Sequence, residues 1–261
     1  MCIKNYFELV NKEYLNNNFK LESRIDPDSK CYSLYEDLTK KLFYKSFPNG
    51  YVIKKTEFKE RMGKNENKYW ELVMTVESIQ GEKKIFGLGA DYIGASVNWA
   101  LQSNIPQIDI KEFLKISRIL GGHIFFPRWQ ISNNKKQILS LNVARGAEFI
   151  RKNKRRPGFY DRFDMFLFDL KNWYDGNLSQ LQEEFDSNEV WLKLFIDFRG
   201  FINYFLLNDF VNNDFEVIDL TNNGNFIEQF ESYIPKNSEN YSLYFENSNN
   251  IIINRFKDSR N

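Results

Sequence analysis

The sequence predicts an α+β fold: a short, mostly antiparallel sheet from the N-terminal half packed against a helical C-terminal half. Runs of β-branched and aromatic residues separated by Gly-, Pro- and Asn-containing turns concentrate between residues 50 and 145, the pattern of paired strands. From residue 161 onward apolar residues recur at spacings of three and four, the pattern of amphipathic helices. Strands first and helices afterwards, without alternation, favour α+β over a doubly wound fold. Neither a linker nor a repeat divides the chain, so a single domain over 1–261 is expected. A subdivision into a strand-rich 1–150 and a helix-rich 151–261 remains open.

In chain order, Ile3, Phe7, Val10 and Leu15 predict a first helix over 3–16. Asp26-Pro27-Asp28-Ser29 then reads as a helix start, because Pro suits the first turn and acids suit the N-terminal dipole. That helix covers about 30–45, burying Cys31, Leu34, Leu38 and Leu42, until Pro48-Asn49-Gly50 turns the chain. Strands are expected at Tyr51-Val52-Ile53, at Tyr69–Val76 and, after the turn Gln80–Lys83, at Lys84–Leu88. Gly87, Gly89 and Gly94 around Ala90–Ile93 suggest a loop, without the GxGxxG or Walker lysine of a phosphate cradle.

Asp109 with Glu112 three residues on has capping-box spacing, for a helix that reaches Leu120 and stops at Gly121-Gly122. His123-Ile124-Phe125-Phe126-Pro127 is read as a short buried strand, and 138–144 as another apolar segment. Phe163, Phe166, Leu170 and Trp173 mark a helix that ends at Gly176, followed by a short one near 178–186. Glu189–Val211 is apolar nearly all round, as expected of a central buried helix or helix pair. It has the length of a membrane span, but Lys193, Asp197, Arg199 and Asp209 would each cost about 2.5–3.5 kcal/mol at a bilayer centre. The N-terminus also lacks the apolar core of a secretion signal, so a cytoplasmic protein is expected. Val217-Ile218 and Ile251-Ile252-Ile253 occupy the final segment.

Composition narrows the chemistry. With 261 residues, 42% hydrophobic and a net charge of +1, the chain is neither disordered nor coated with basic charge. Cys2 and Cys31 are too few for a disulfide framework or a cysteine zinc site. The lone His123 removes histidine-pair metal motifs and would leave any triad dependent on one residue. No metal site and no particular cofactor are indicated, although carboxylates alone can hold Mg²⁺.

Four features remain as site candidates. Arg145, Arg151, Lys152, Lys154, Arg155 and Arg156 face only Glu148 in their stretch, a run suited to phosphates or nucleic acid, or simply to a solvated loop. Arg199, set within the apolar 189–211 segment, reads as a buried guanidinium. Such a group needs an acid such as Asp161, Asp164 or Asp197, or a ligand anion, because a desolvated lone charge is costly. Asp161-Arg162-Phe163-Asp164 supplies two acids around an arginine: helix caps on one reading, a base or an arginine-orienting pair on the other. His123 is either a satisfied core residue or a general base, with Glu216 the only late acid to accompany it.

Taken together, Gly121–Pro127, Asn142–Gly146, Asp161–Asp164, Asp197–Gly200 and Phe205–Val211 resemble an uncharacterised bacterial family, a domain of unknown function, over roughly residues 85–255. The resemblance implies that Arg145, Asp161, Arg162, Asp164, Asp197 and Arg199 form its signature, and that the position of His123 is not always histidine. The functional expectation is an arginine/acid cluster, with Arg145, Arg162, Arg199 and Asp197 holding a nucleotide, nucleic acid or other phosphate-bearing anion. The alternatives are an ADP-ribosyltransferase-like enzyme with Arg145 on the NAD phosphates and His123 on the ribose, or a non-catalytic protein-interaction module with an unidentified partner. No membrane partner is expected.

Overall fold

Two kinds of turn set the sheet. Gly81, at φ 81°, reverses the chain after Ser78, whose N–H donates to the Glu82 carbonyl at 2.9 Å. Asn133 and Asn134, at φ 50° and 60°, form a two-residue hairpin, a left-handed pair that asparagine tolerates and that matches strand twist. The computed structural model describes residues 31–42, 46–62, 68–94, 112–113, 115–139, 162–221, 226 and 239–258. Among them β1 (Val52–Met62), β2 (Lys68–Glu77), β3 (Lys83–Tyr92), β4 (His123–Ser132) and β5 (Lys135–Ile138) make one five-stranded sheet. It runs in the order β1-β2-β3-β4-β5, every pair antiparallel.

Pairing register decides which face is buried. Phe58 lies opposite Leu72, and Leu72 opposite Leu88. Thr56, Met74, Phe86 and Gln130 form the next row of that face. Against these residues pack α1 (Tyr32–Leu42), through Leu34, Tyr35 and Leu38, and the helices after residue 162. Those helices are α2 (Phe163–Tyr174), α3 (Gln182–Ser187), α4 (Glu189–Leu192), α5 (Phe198–Tyr204) and the long α6 (Glu239–Asp258). Edge-on aromatic contacts tie sheet to helices: Phe86 with Trp191 at 5.0 Å and Phe126 with Phe166 at 5.5 Å between centroids. One hydrophobic cluster runs from Cys31 to Phe256 and draws on both halves of the chain.

The sheet and the helical half are as expected, but several elements differ. The third strand runs on to Tyr92, taking in Gly87 and Gly89, because those glycines admit large side chains from β4 across them. Among the described residues the last strand of the sheet is the exposed Lys135–Ile138; of the apolar segment expected over 138–144, residues 140–144 lie outside the described residues. The 189–211 segment is not one continuous helix. It comprises α4, a 3-10 turn Lys193–Phe195, a break at Ile196 (φ 71°), α5 and a second 3-10 turn Asn208–Phe210. It is apolar all round because successive short pieces turn different faces into one core, burying Trp191, Phe195, Phe201 and Phe210 alike. Ile251–Ile253 belong to α6. The predicted helix over 3–16 lies outside the described residues, as does Asp109. Among the described residues no helix is long and apolar enough to cross a membrane.

Candidate functional site

The least ordinary place in the molecule is the corner where β4 begins. The turn Leu120–Gly122 hands the chain to β4, and Ile93 at the end of β3 donates its N–H to the Gly122 carbonyl at 3.0 Å. Both glycines are sterically required. A Cβ at Gly122 would collide with the Ser117 carbonyl, and one at Gly121 with the Ile252 carbonyl, with the Phe256 nitrogen 2.8 Å away. The backbone of α6 therefore rests directly on the turn, an approach only glycine permits.

Two buried guanidiniums meet this corner. Arg118 is wholly enclosed, its guanidinium carbon 3.2 Å from the centroid of the Tyr92 ring. Its Nη1 donates to Ser117 Oγ at 3.0 Å, while Nε and Nη2 have no acceptor among the described residues. Arg255, on the buried stripe of α6, donates from Nε to the Phe205 carbonyl at 2.7 Å and from Nη1 to the Gly121 and His123 carbonyls at 2.6 Å. Its Nη2 has no acceptor among the described residues. Among the described residues no carboxylate pairs with either cation. Burial alone pulls the Arg255 guanidinium down to about 9, the expected response of a desolvated charge.

His123 stands between them, fully buried, with its ring 4.9 Å from that of Tyr92. Its Nδ1 lies 2.9 Å from the Ile119 carbonyl, so Nδ1 carries the proton and donates. Burial first, then the Arg118 charge and, more weakly, that of Arg255 push its pKa down to about 3, against which the Ile119 bond acts. The imidazole is neutral and enclosed, so the NAD-ribose role, which needs an exposed ring, has no opening here. Glu216 is exposed and bonds Lys171 at 3.2 Å.

The described members of the expected arginine/acid cluster make separate contacts. Arg162 is buried and closed by carboxylates: Nη2 reaches Asp164 at 2.5 Å and Asp219 at 2.8 Å, and Nε reaches Asp164 at 3.1 Å. Burial works to lower its pKa, but Asp164 and then Asp219 more than reverse this and hold it above the ordinary value. Asp164 also accepts from the Met165 and Leu220 N–H groups, and Asp219 from Thr221, so this cluster fastens the start of α2 to the 219–221 turn. Arg199 is exposed rather than buried, lying 4.3 Å over the Phe215 ring, because α5 is short and turns that side to solvent. Asp197 is the N-cap of α5 and accepts from the Gly200 N–H at 2.7 Å. Arg145, Arg151, Lys152, Lys154, Arg155, Arg156 and Asp161 lie outside the described residues.

Arg118 and Arg255 were not singled out from the sequence, although a signal exists for each. Arg118 sits in Ile116-Ser117-Arg118-Ile119-Leu120, and Arg255 falls on the same face of α6 as Tyr244, Ser248 and Ile251. A charge on an apolar stripe needs an explanation. Among the described residues no three of His, Cys, Asp and Glu gather as a metal could use them.

A family described as a family of unknown function (DUF6994) matches residues 14–258, beginning well before the 85–255 stretch that the motifs span. No curated protein and no solved structure matches the chain.

Proposed function

The chain belongs to this family of unknown function, and on that premise we propose that it binds a small carboxylate- or phosphate-bearing anion at the Gly121–Gly122 corner, between Arg118 and Arg255. One observation carries the reading: two fully buried guanidiniums keep N–H donors without acceptors, and no described carboxylate answers either. Leaving a buried donor unmet costs about 1–3 kcal/mol, more when the group is charged. An anion accepting from Arg118 Nε and Nη2 would form the planar two-bond contact that guanidinium favours. Arg255 bonds the His123 carbonyl and Arg118 stacks on Tyr92, the ring beside His123, which supports one shared neighbourhood for the ligand. The sealed Arg162–Asp164–Asp219 cluster has no donor role in this proposal and serves as a structural clasp.

The test is mass spectrometry of small molecules released from purified, denatured protein, with thermal shifts against inorganic phosphate, nucleoside mono- to triphosphates and small carboxylates. A bound anion, or a ligand present at about 100-fold its Kd, adds about 2.7 kcal/mol of stability, and Arg118→Gln removes that gain. An empty extract with no shift across the panel overturns the proposal and leaves the corner as packing.

A further inference from the structure

We infer that the outer face of the sheet is a platform for single-stranded nucleic acid. This inference uses no atom of the Arg118–Arg255 corner and stands or falls separately. Register assembles the face: Arg61 lies opposite Tyr69, and Lys59 opposite Glu71. The central row runs Glu57, Val73, Gly87, Trp129 and Ile138, and the next ends at Ile131 and Lys136.

Glycines flatten it. A Cβ at Gly87 would strike the Trp129 indole, and one at Gly89 the Arg128 guanidinium. Both side chains therefore lie against the backbone of β3, and Trp129 Nε1 is pinned by a 2.7 Å bond to Glu71 Oε1. The indole is held flat and part-buried, beside an Ile138 that is 72% exposed. One face of the indole lies on Gly87, and Lys136 stands over the ring. A base that stacks here, at about 1–3 kcal/mol per base, takes the place of the lysine as its ammonium turns to a phosphate.

The charges suit the same partner. Lys136 stands 4.9 Å from the Trp129 ring centroid and Arg128 5.0 Å from that of Tyr69. Neither has a carboxylate partner among the described residues, so each places an uncompensated cation beside a ring. Two acids of this face are already engaged, Glu71 buried under Arg61 and Trp129 and Glu57 held by Lys55 and Lys59, while Glu77 lies at the far end of its strand, opposite Lys83. Rings next to unneutralised cations, on one flat surface, match alternating bases and phosphates.

Fluorescence anisotropy of the full chain with labelled oligo(U) and oligo(dT) of about 12 nucleotides, a length within the usual site size, tests this against a duplex of equal length. The expected result is tighter binding of a single strand than of the duplex. Trp129→Leu and Lys136→Glu should each weaken it about tenfold, the scale of one lost stack or contact. Lys136→Glu should also flatten the salt dependence by about 0.7 in log–log slope. Lys136 is exposed on β5, so its variant remains informative if Trp129→Leu fails to fold. The inference is overturned by absence of binding at low salt, or by equal affinity for duplex. It is also overturned by binding that both variants leave intact while loss of Arg151, Lys152 and Lys154 abolishes it. A chain dimer dissolved by Lys136→Glu, without oligonucleotide binding, overturns it in favour of a protein interface.

Discussion

Acidification offers the sharpest perturbation, because His123 is the only histidine in the chain. Its folded-state pKa lies near 3, against an ordinary 6.5 once the chain unfolds and releases it from burial and from Arg118. The unfolded state therefore takes up a proton below 6.5 that the folded state refuses. Stability is full above 6.5 and falls as pH drops toward 3, at about 1.4 kcal/mol per unit. Between about pH 7.5 and about pH 5 the loss amounts to about 2 kcal/mol. Carboxylates contribute little over that interval, since their ordinary values lie below it. Urea unfolding at the two pH values measures the loss directly, and His123→Gln should abolish most of it. Proton NMR supplies an independent reading, because the single imidazole gives a single Cε1–H resonance. That resonance should stay unshifted down to pH 5. A titration midpoint near 6.5, or a wild-type stability that is flat across the interval, would refute the buried, neutral ring and the arrangement of Arg118 around it.

Other substitutions probe the remaining features. Arg162→Met should cost about 3–5 kcal/mol in urea unfolding, since it leaves Asp164 and Asp219 without their shared cation. Gly121→Ala should cost at least about 1–3 kcal/mol, because its Cβ meets the backbone of α6 rather than a movable side chain, and circular dichroism melting will register it. Asp197→Ala should lose about 1 kcal/mol with the α5 cap. Arg199→Ala, two residues on and exposed over Phe215, should lose no more than about 1 kcal/mol in the same melt. Equal large losses at 197 and 199 would restore a buried role for Arg199.

Much of the fold was legible because its cues are local. The turns at Gln80–Lys83 and Pro48–Gly50, the apolar spacing of Phe163, Phe166 and Leu170, and the stop at Gly176 involve near neighbours only, and each element sits close to where those cues put it. The 189–211 segment left a single helix and a helix pair both open because periodicity reports burial, not continuity. A run of short pieces inside one core looks as apolar all round as a single helix. Arg199 was expected to be buried because the segment around it is apolar, whereas on the short α5 it reaches water. Arg162 shows the opposite case. The acids beside it in sequence made an ion cluster legible, but Asp219 lies 57 residues away and only chain reversal brings it in.

By itself, then, the sequence determined the α+β class, the order of the main strands before the C-terminal helices, and the exclusion of cysteine and histidine metal motifs. Each depends on composition or on residues within a turn of one another. Tertiary structure alone decided which charges are compensated. Arg118 and Arg255 lie 137 positions apart, as their numbers show, yet bear on one imidazole because α6 rests on Gly121 beside it. Trp129 and Lys136 share a surface with Tyr69 through strand register alone. The electrostatic energy of a charge depends on its neighbours in space and on the water excluded around it, and neither quantity is local in the chain.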